Sequence, residues 1–136
     1  MGKLTDFLLE DSPAGAEETL EVDIPGFPHP FLVRAITEGE NKALRRGCRR
    51  VSVDKLTGQR VAETDQDLYN NRLVAACCAE PNFKDAQLQA RYGVRGAEDL
   101  IDALLRPGQF VRLLVAVQQV NGFYTGMDEL RDRAKN

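Results

Sequence analysis

The segment Phe110–Val120 constrains the fold more than any other part of the chain. Its apolar side chains (Phe110, Val111, Leu113, Leu114, Val115, Val117 and Val120) recur on most sides of a helix, interrupted by Arg112, Gln118 and Gln119. Pro107 suits a first helical turn and Asn121-Gly122 a stop, which together predict a helix reaching from Pro107 to Val120. A helix apolar on most sides belongs inside a core, so this one is expected to be the central, most buried element. The chain has no apolar run long enough to cross a bilayer. Its 136 residues, 43% of them hydrophobic, suffice for one core. Asp6, Glu10 and Asp11 break up any apolar leader region, and the expectation is a cytoplasmic protein.

The remaining elements follow from period and punctuation. Leu4–Leu9 can form a short amphipathic turn, which the turn-rich run Glu10–Ala16 separates from the rest; residues 1–16 therefore read as an arm and linker, and residues 17–136 as one domain. Leu20, Val22 and Ile24 alternate with Glu21 and Asp23, as in a half-buried strand, and Phe31–Ile36 supplies a second strand able to pair antiparallel beyond the Pro25–Pro30 loop. Thr37-Glu38-Gly39-Glu40 has the form of a capping box opening a helix to about Arg50. Val51–Val53 and Gln59–Val61 flank a turn and predict a hairpin. A helix capped within Thr64–Asp67 is expected to run to about Glu80 and stop at Pro81, with Leu68, Leu73, Ala76 and Cys77 inward. Shorter helices are expected over Lys84–Tyr92, closed by Gly93, and over Ala97–Leu105, with a polar helix over Met127–Lys135 at the end. The fold class is α+β and mainly helical, with about five helices and a small antiparallel sheet or hairpin.

Charge is segmented along the chain. Residues 1–40 carry two basic and nine acidic side chains, residues 41–60 seven basic and one acidic, and residues 61–136 nine basic and eleven acidic. Lys42, Arg45, Arg46, Arg49 and Arg50 fall at i, i+3, i+4, i+7 and i+8, one face of a helix extending that far, with Leu44, Cys48 and Val51 opposite. Such a stripe can be a solvated face resting on aliphatic stems, a contact surface for an acidic partner, or a dock for the acidic first 40 residues of the same chain.

Chemistry of other kinds finds little support. The chain has no Gly-x-Ser-x-Gly, P-loop, His-Glu-x-x-His or dinucleotide fingerprint, and its one histidine, His29, has no neighbouring Ser or Cys. Asp65/Asp67 and Asp99/Asp102 sit where helix turns explain them. Cys48, Cys77 and Cys78 lack metal-ligand spacing and read as small buried hydrophobes in a reducing compartment. No metal, cofactor or catalytic residue is expected. The Gly93-x-x-Gly96 turn has the outline of a nucleic-acid phosphate clamp, but the acidic balance opposes that partner.

An ordered series of motifs then carries a resemblance. It runs through Pro81–Gln89, Tyr92-Gly93-Val94 with Gly96–Leu100, Leu104-Leu105-x-Pro107-Gly108, Val117-Gln118-x-Val120-Asn121-Gly122-Phe123, Glu129-Leu130 and Ala134-Lys135-Asn136, and extends back through the Leu73 and Thr37 helices. Over about residues 31–136 the chain resembles the XkdN-like phage tail assembly chaperones; the Pro25–Pro30 loop departs from the more usual polar turn. The resemblance implies a non-enzymatic cytoplasmic protein, absent from the finished virion, that binds the tape measure protein and keeps it soluble while tail tube subunits polymerise around it. It implies no cofactor and no membrane, and it transfers no catalytic residue. The residues offered as partner-binding are Lys42, Arg45, Arg46, Arg49 and Arg50 on the stripe, and Leu4, Phe7 and Leu8 on the arm. The tail tube protein is a second candidate partner, and self-association is compatible with the opposite charges of arm and stripe. The alternatives are a small nucleic-acid-binding module using the Gly93–Gly96 turn and a structural tail component.

Overall fold

A computed structural model describes residues 18–123. Three short strands form one sheet: β1 (Thr19–Val22), β2 (Phe31–Arg34) and β5 (Cys78–Glu80), in the order β1-β2-β5 and antiparallel throughout. β1 and β2 pair from Thr19 opposite Arg34 to Val22 opposite Phe31, as the alternating pattern requires. A separate two-stranded ribbon joins β3 (Arg49–Val53) to β4 (Arg60–Thr64). The helices are α1 (Glu38–Arg46), α2 (Gln66–Cys77), α3 (Ala86–Arg91), α4 (Ala97–Leu104) and α5 (Pro107–Val120). This is the α+β architecture expected, with five helices among the described residues. The helices expected over Leu4–Leu9 and Met127–Lys135 lie outside the described residues.

Local chemistry explains most boundaries. Thr37 caps α1, its hydroxyl oxygen accepting from the Glu40 N–H at 3.2 Å, while the acidic first turn and the basic Arg45 and Arg46 of the last turn suit the helix dipole. Asp65, one residue beyond Thr64, caps α2 by accepting from the Leu68 N–H at 3.2 Å. Asp85 does the same for α3 at Leu88, 3.0 Å away. Gly93 sits at φ +67°, the left-handed geometry expected of it. α5 has the bounds read from Pro107 and Asn121, and Gln109 reaches back to accept from the Arg106 N–H at 2.8 Å.

Three expectations need correction. The helix expected to reach Arg50 stops at Arg46: the Cys48 N–H turns back to Arg45 O at 3.1 Å, Arg49 pairs with Thr64, and long-range bonds hold the carbonyls of the turn. Gly47 O accepts from Arg72 Nη1 at 2.8 Å, and Cys48 O accepts from the Asp65 N–H at 2.7 Å. The hairpin accordingly begins two residues earlier than predicted, and Val51 lies in an exposed strand instead of on a helix's inner side. The helix expected to reach Glu80 ends at Cys77; Cys78–Glu80 are extended and pair with β2, and a residue before proline disfavours the helical region in any case. Finally, the most buried helix is α2, whose Tyr69, Leu73, Val74, Ala75 and Cys77 are all enclosed, whereas α5 buries Leu113, Ala116 and Val117 and leaves Val111 57% exposed.

The core runs between the sheet and α2, α4 and α5, around Val33, Leu73, Val74, Phe83, Leu100, Ile101, Leu113 and Val117. Cys48 also reaches full burial, pinning the turn between α1 and the ribbon. Asn121 locks the end of α5: its Oδ1 accepts from the Ile36 N–H at 2.8 Å and its Nδ2 donates to Val117 O at 2.8 Å. Leu73 is fully enclosed at the centre of α2. Leu73→Ala is expected to cost about 2–5 kcal/mol of unfolding free energy, whereas removing the Asp65 cap by Asp65→Ala costs about 1 kcal/mol. Urea denaturation of the two variants checks the ranking.

Candidate functional site

The charged periphery is built on α1 and the β3–β4 ribbon. Lys42, Arg45 and Arg46 lie on α1; Arg49 and Arg50 open β3; all five are exposed. They therefore do not share one helix face. Strand alternation sends Arg49 to one side of the ribbon and Arg50 to the other. Arg45 lies over the Tyr69 ring with its guanidinium carbon 5.9 Å from the centroid, and Tyr69 OH donates to Asn41 Oδ1 of α1. Arg50 faces Glu63 across the ribbon at 3.8 Å. Among the described residues Lys42, Arg46 and Arg49 have no ion-pair partner. The remaining proposed contacts, Leu4, Phe7 and Leu8, lie outside the described residues.

The ribbon adds residues that helical spacing alone missed. On the side of Arg49 it displays Val51 and Val53, 63% and 61% exposed, with Ala62 and Arg60 opposite them on β4. Leu56 at the turn is 96% exposed. The turn itself is well made: Asp54 Oδ1 accepts from the Leu56 N–H at 2.9 Å, and Gly58 at φ +71° donates to Asp54 O at 2.7 Å. A two-stranded ribbon exposed on both faces is marginal on its own, and its apolar face is unusual beside so many cations. The signal available in the sequence was the excess charge of residues 41–60, which includes Lys55 and Arg60.

The other candidate sites are structurally accounted for. In the Gly93–Gly96 turn the Gly93 N–H donates to Ala90 O, the Val94 N–H to Gln89 O and the Gly96 N–H to Gln89 Oε1, so three donors that a phosphate would need are already engaged. His29 lines a hollow of about 420 Å³ with Phe27, Phe31, Pro81 and Tyr92, where no serine or cysteine accompanies it. Asp65 is a cap, Asp67 and Asp99 lie in first helical turns, and Asp102 accepts from Asn71 Nδ2 at 3.1 Å. The three cysteines are free and buried. Burial pushes the Cys77 thiol above its ordinary value and the Cys78 thiol up to about 12. No His/Cys/Asp/Glu cluster able to hold a metal, and no helix long and apolar enough to cross a membrane, occurs among the described residues.

Comparison with known proteins decides the family. The model of the phage XkdN-like tail assembly chaperones matches residues 4–135. This chain belongs to that family. The match reaches further toward the N-terminus than the motif series beginning near residue 31, and so takes in β1, the Pro25–Pro30 loop and the arm. The Bacillus subtilis protein YqbN is 26% identical to this tail assembly chaperone over 117 residues, covering 85% of this chain and 77% of YqbN. The crystal structure of YqbN superposes with a TM-score of 0.63 at 21% identity, covering 85% of this chain and 93% of that one, and so shares the fold. The family's role is assembly, not catalysis.

Burial of Cys77 and Cys78 in this tail assembly chaperone makes its stability pH-dependent. Cys78 ionises with more difficulty in the folded chain than at its ordinary value of 9.0, so the unfolded state releases that proton first. Stability contributed by the neutral thiol is complete below pH 9 and falls as pH rises from 9.0 towards about 12. Urea midpoints measured on either side of pH 9 are expected to drop, and Cys78→Ala to flatten that drop.

Proposed function

We propose that this chain binds the tape measure protein and keeps it soluble in the host cytoplasm until tail tube subunits assemble around it. Membership of the tail assembly chaperone family supports the class of role. The observation that carries the finer reading is the combination on the ribbon and α1: exposed Val51, Val53 and Leu56 beside Arg46, Arg49 and Arg60.

A tape measure chain waiting for its tube exposes long apolar stripes that aggregate unless covered. Its chaperone must cover them and then release them. A modest apolar strip bordered by cations suits that task better than a large dry interface: the apolar part shields, while exposed charge speeds and orients encounter without locking the complex. In this reading Lys42, Arg45, Arg46 and Arg49 form one contact surface with Val51, Val53 and Arg60, while Arg50, sent to the other side of the ribbon and paired with Glu63, falls outside it. Leu4, Phe7 and Leu8 of the arm form another. The chain leaves the assembly before the virion is complete, and contact with the tail tube protein belongs to that release.

Co-expression tests the role. The tape measure protein is expected in the soluble fraction with this chain and in the pellet without it; equal solubility in both defeats the proposal. Arg46→Glu with Arg49→Glu spares the cation over Tyr69 and the pair with Glu63. This double variant is expected to fold normally and to lose most client recovery at about 0.15 M salt, where charges still act over roughly 8 Å. Recovery equal to that of the parent chain would return these arginines to the role of a solvated face.

A further inference from the structure

One apolar region remains uncovered on the side of α5 that the core does not use. Between β1 and α5 runs a groove of about 810 Å³, floored by Val22, Pro25, Val111 and Val115 and bordered by Arg106 and Arg112. Val111 and Val115 are 57% and 38% exposed, although they stand one turn apart on a helix whose opposite side is fully enclosed. The groove is held open by side-chain bonds to its far wall. Gln109 Nε2 donates to Pro25 O at 2.7 Å, and Arg112 Nε donates to Asp23 O at 2.6 Å. Among the described residues neither Arg106 nor Arg112 has an ion-pair partner.

We propose that this groove is the docking site of the chain's own residues 4–11. Three observations select this occupant. The first is position: β1 begins at Thr19 and contributes Val22 to the groove, and β1 is an edge strand. Residues 12–18 between segment and strand can span up to about 3.3–3.6 Å each, ample to fold back along the neighbouring helix. The second is apolar spacing: Leu4, Phe7 and Leu8 stand at i, i+3 and i+4, and so share one side when the segment takes helical form against a surface. The third is charge, since Asp6, Glu10 and Asp11 accompany those apolar residues and meet a groove whose border is cationic. A second copy could offer the same segment, but a short tether gives the attached one an effective concentration in the roughly millimolar range.

Docking covers Val111 and Val115 in the free chain and keeps Leu4, Phe7 and Leu8 from associating with other molecules. Those three side chains cannot fill the groove and hold a client at once. The inference concerns the chain alone, so its failure leaves the proposed client untouched.

The chain contains no tryptophan, so Phe7→Trp introduces a single reporter. In the full-length variant its emission is expected to be blue-shifted and several-fold less quenched by acrylamide than that of a peptide of residues 1–16 with the same substitution. Adding Val115→Glu in the groove is expected to raise quenching to the peptide's level, Arg106→Glu to raise it partway, and Val53→Glu on the ribbon to leave it unchanged. Val111→Ser, at the more exposed position, replaces Val115→Glu if circular dichroism shows that variant unfolded. Peptide-like quenching in the Phe7→Trp chain, or protection insensitive to the groove substitutions, overturns the proposal. Protection must also persist across about a hundredfold dilution in the micromolar range; protection lost on dilution assigns the groove to a second copy instead.

Discussion

Helix α2 can be enclosed on so many sides only because its one cation finds partners at the edge of the core. Arg72 donates from Nε to Glu98 Oε1 at 2.7 Å and from Nη1 to Gly47 O at 2.8 Å, joining α2 to the first turn of α4 and to the turn that ends α1. The pairing with Glu98 raises the affinity of the guanidinium for its proton further. A bidentate cation held by one charged and one backbone acceptor fixes geometry as well as charge, which a lysine could not do. Gly47 belongs to the same arrangement, since a Cβ there would approach Arg72 Nη1 to 3.0 Å. With the Asp65–Cys48 backbone bond and the Tyr69–Asn41 bond, this junction ties α1 and the ribbon to α2.

The molecule therefore divides by chemistry. Its interior is an assembly of aliphatic side chains, Phe31, Tyr69, Phe83 and three free cysteines, with Arg72 and Asn121 bonding at its edge. Its periphery carries most of the cations, on elements that bury little: α1 encloses no residue fully, and every residue of β3 is exposed. A chaperone benefits from that division, because client contact then acts on surfaces whose perturbation leaves the core intact. The same logic applies to the β1–α5 groove, where Val111 and Val115 stand exposed beside the core.

Much of this was legible in advance, for local reasons. The Pro107 and Asn121 signals bounded α5, the alternation of Leu20, Val22 and Ile24 marked β1, and Thr37 opened α1, because each depends on chemistry within one turn of the chain. The ends of α1 and α2 were not legible. Arg49 and Arg50 continue the helical spacing of Lys42, Arg45 and Arg46 faultlessly, yet Gly47 and Cys48 bond to residues far along the chain and turn it into a strand. Likewise nothing near Cys78 announces that β2 will need a second partner. The candidate contact surface was visible as excess charge, but its shape and its exposed valines were not.

The amino-acid sequence by itself determined the class of fold, the placement of caps and turns, the family, and the separation of charge along the chain, since these rest on composition, periodicity and short-range bonding. Only the tertiary structure decided which helix lies at the centre, that the cationic stripe divides between a helix and the two faces of a ribbon, and that Val111 and Val115 face an open groove. Those outcomes depend on which apolar faces find one another first claim on burial, and on polar bonds between residues distant in sequence. Periodicity carries no record of either.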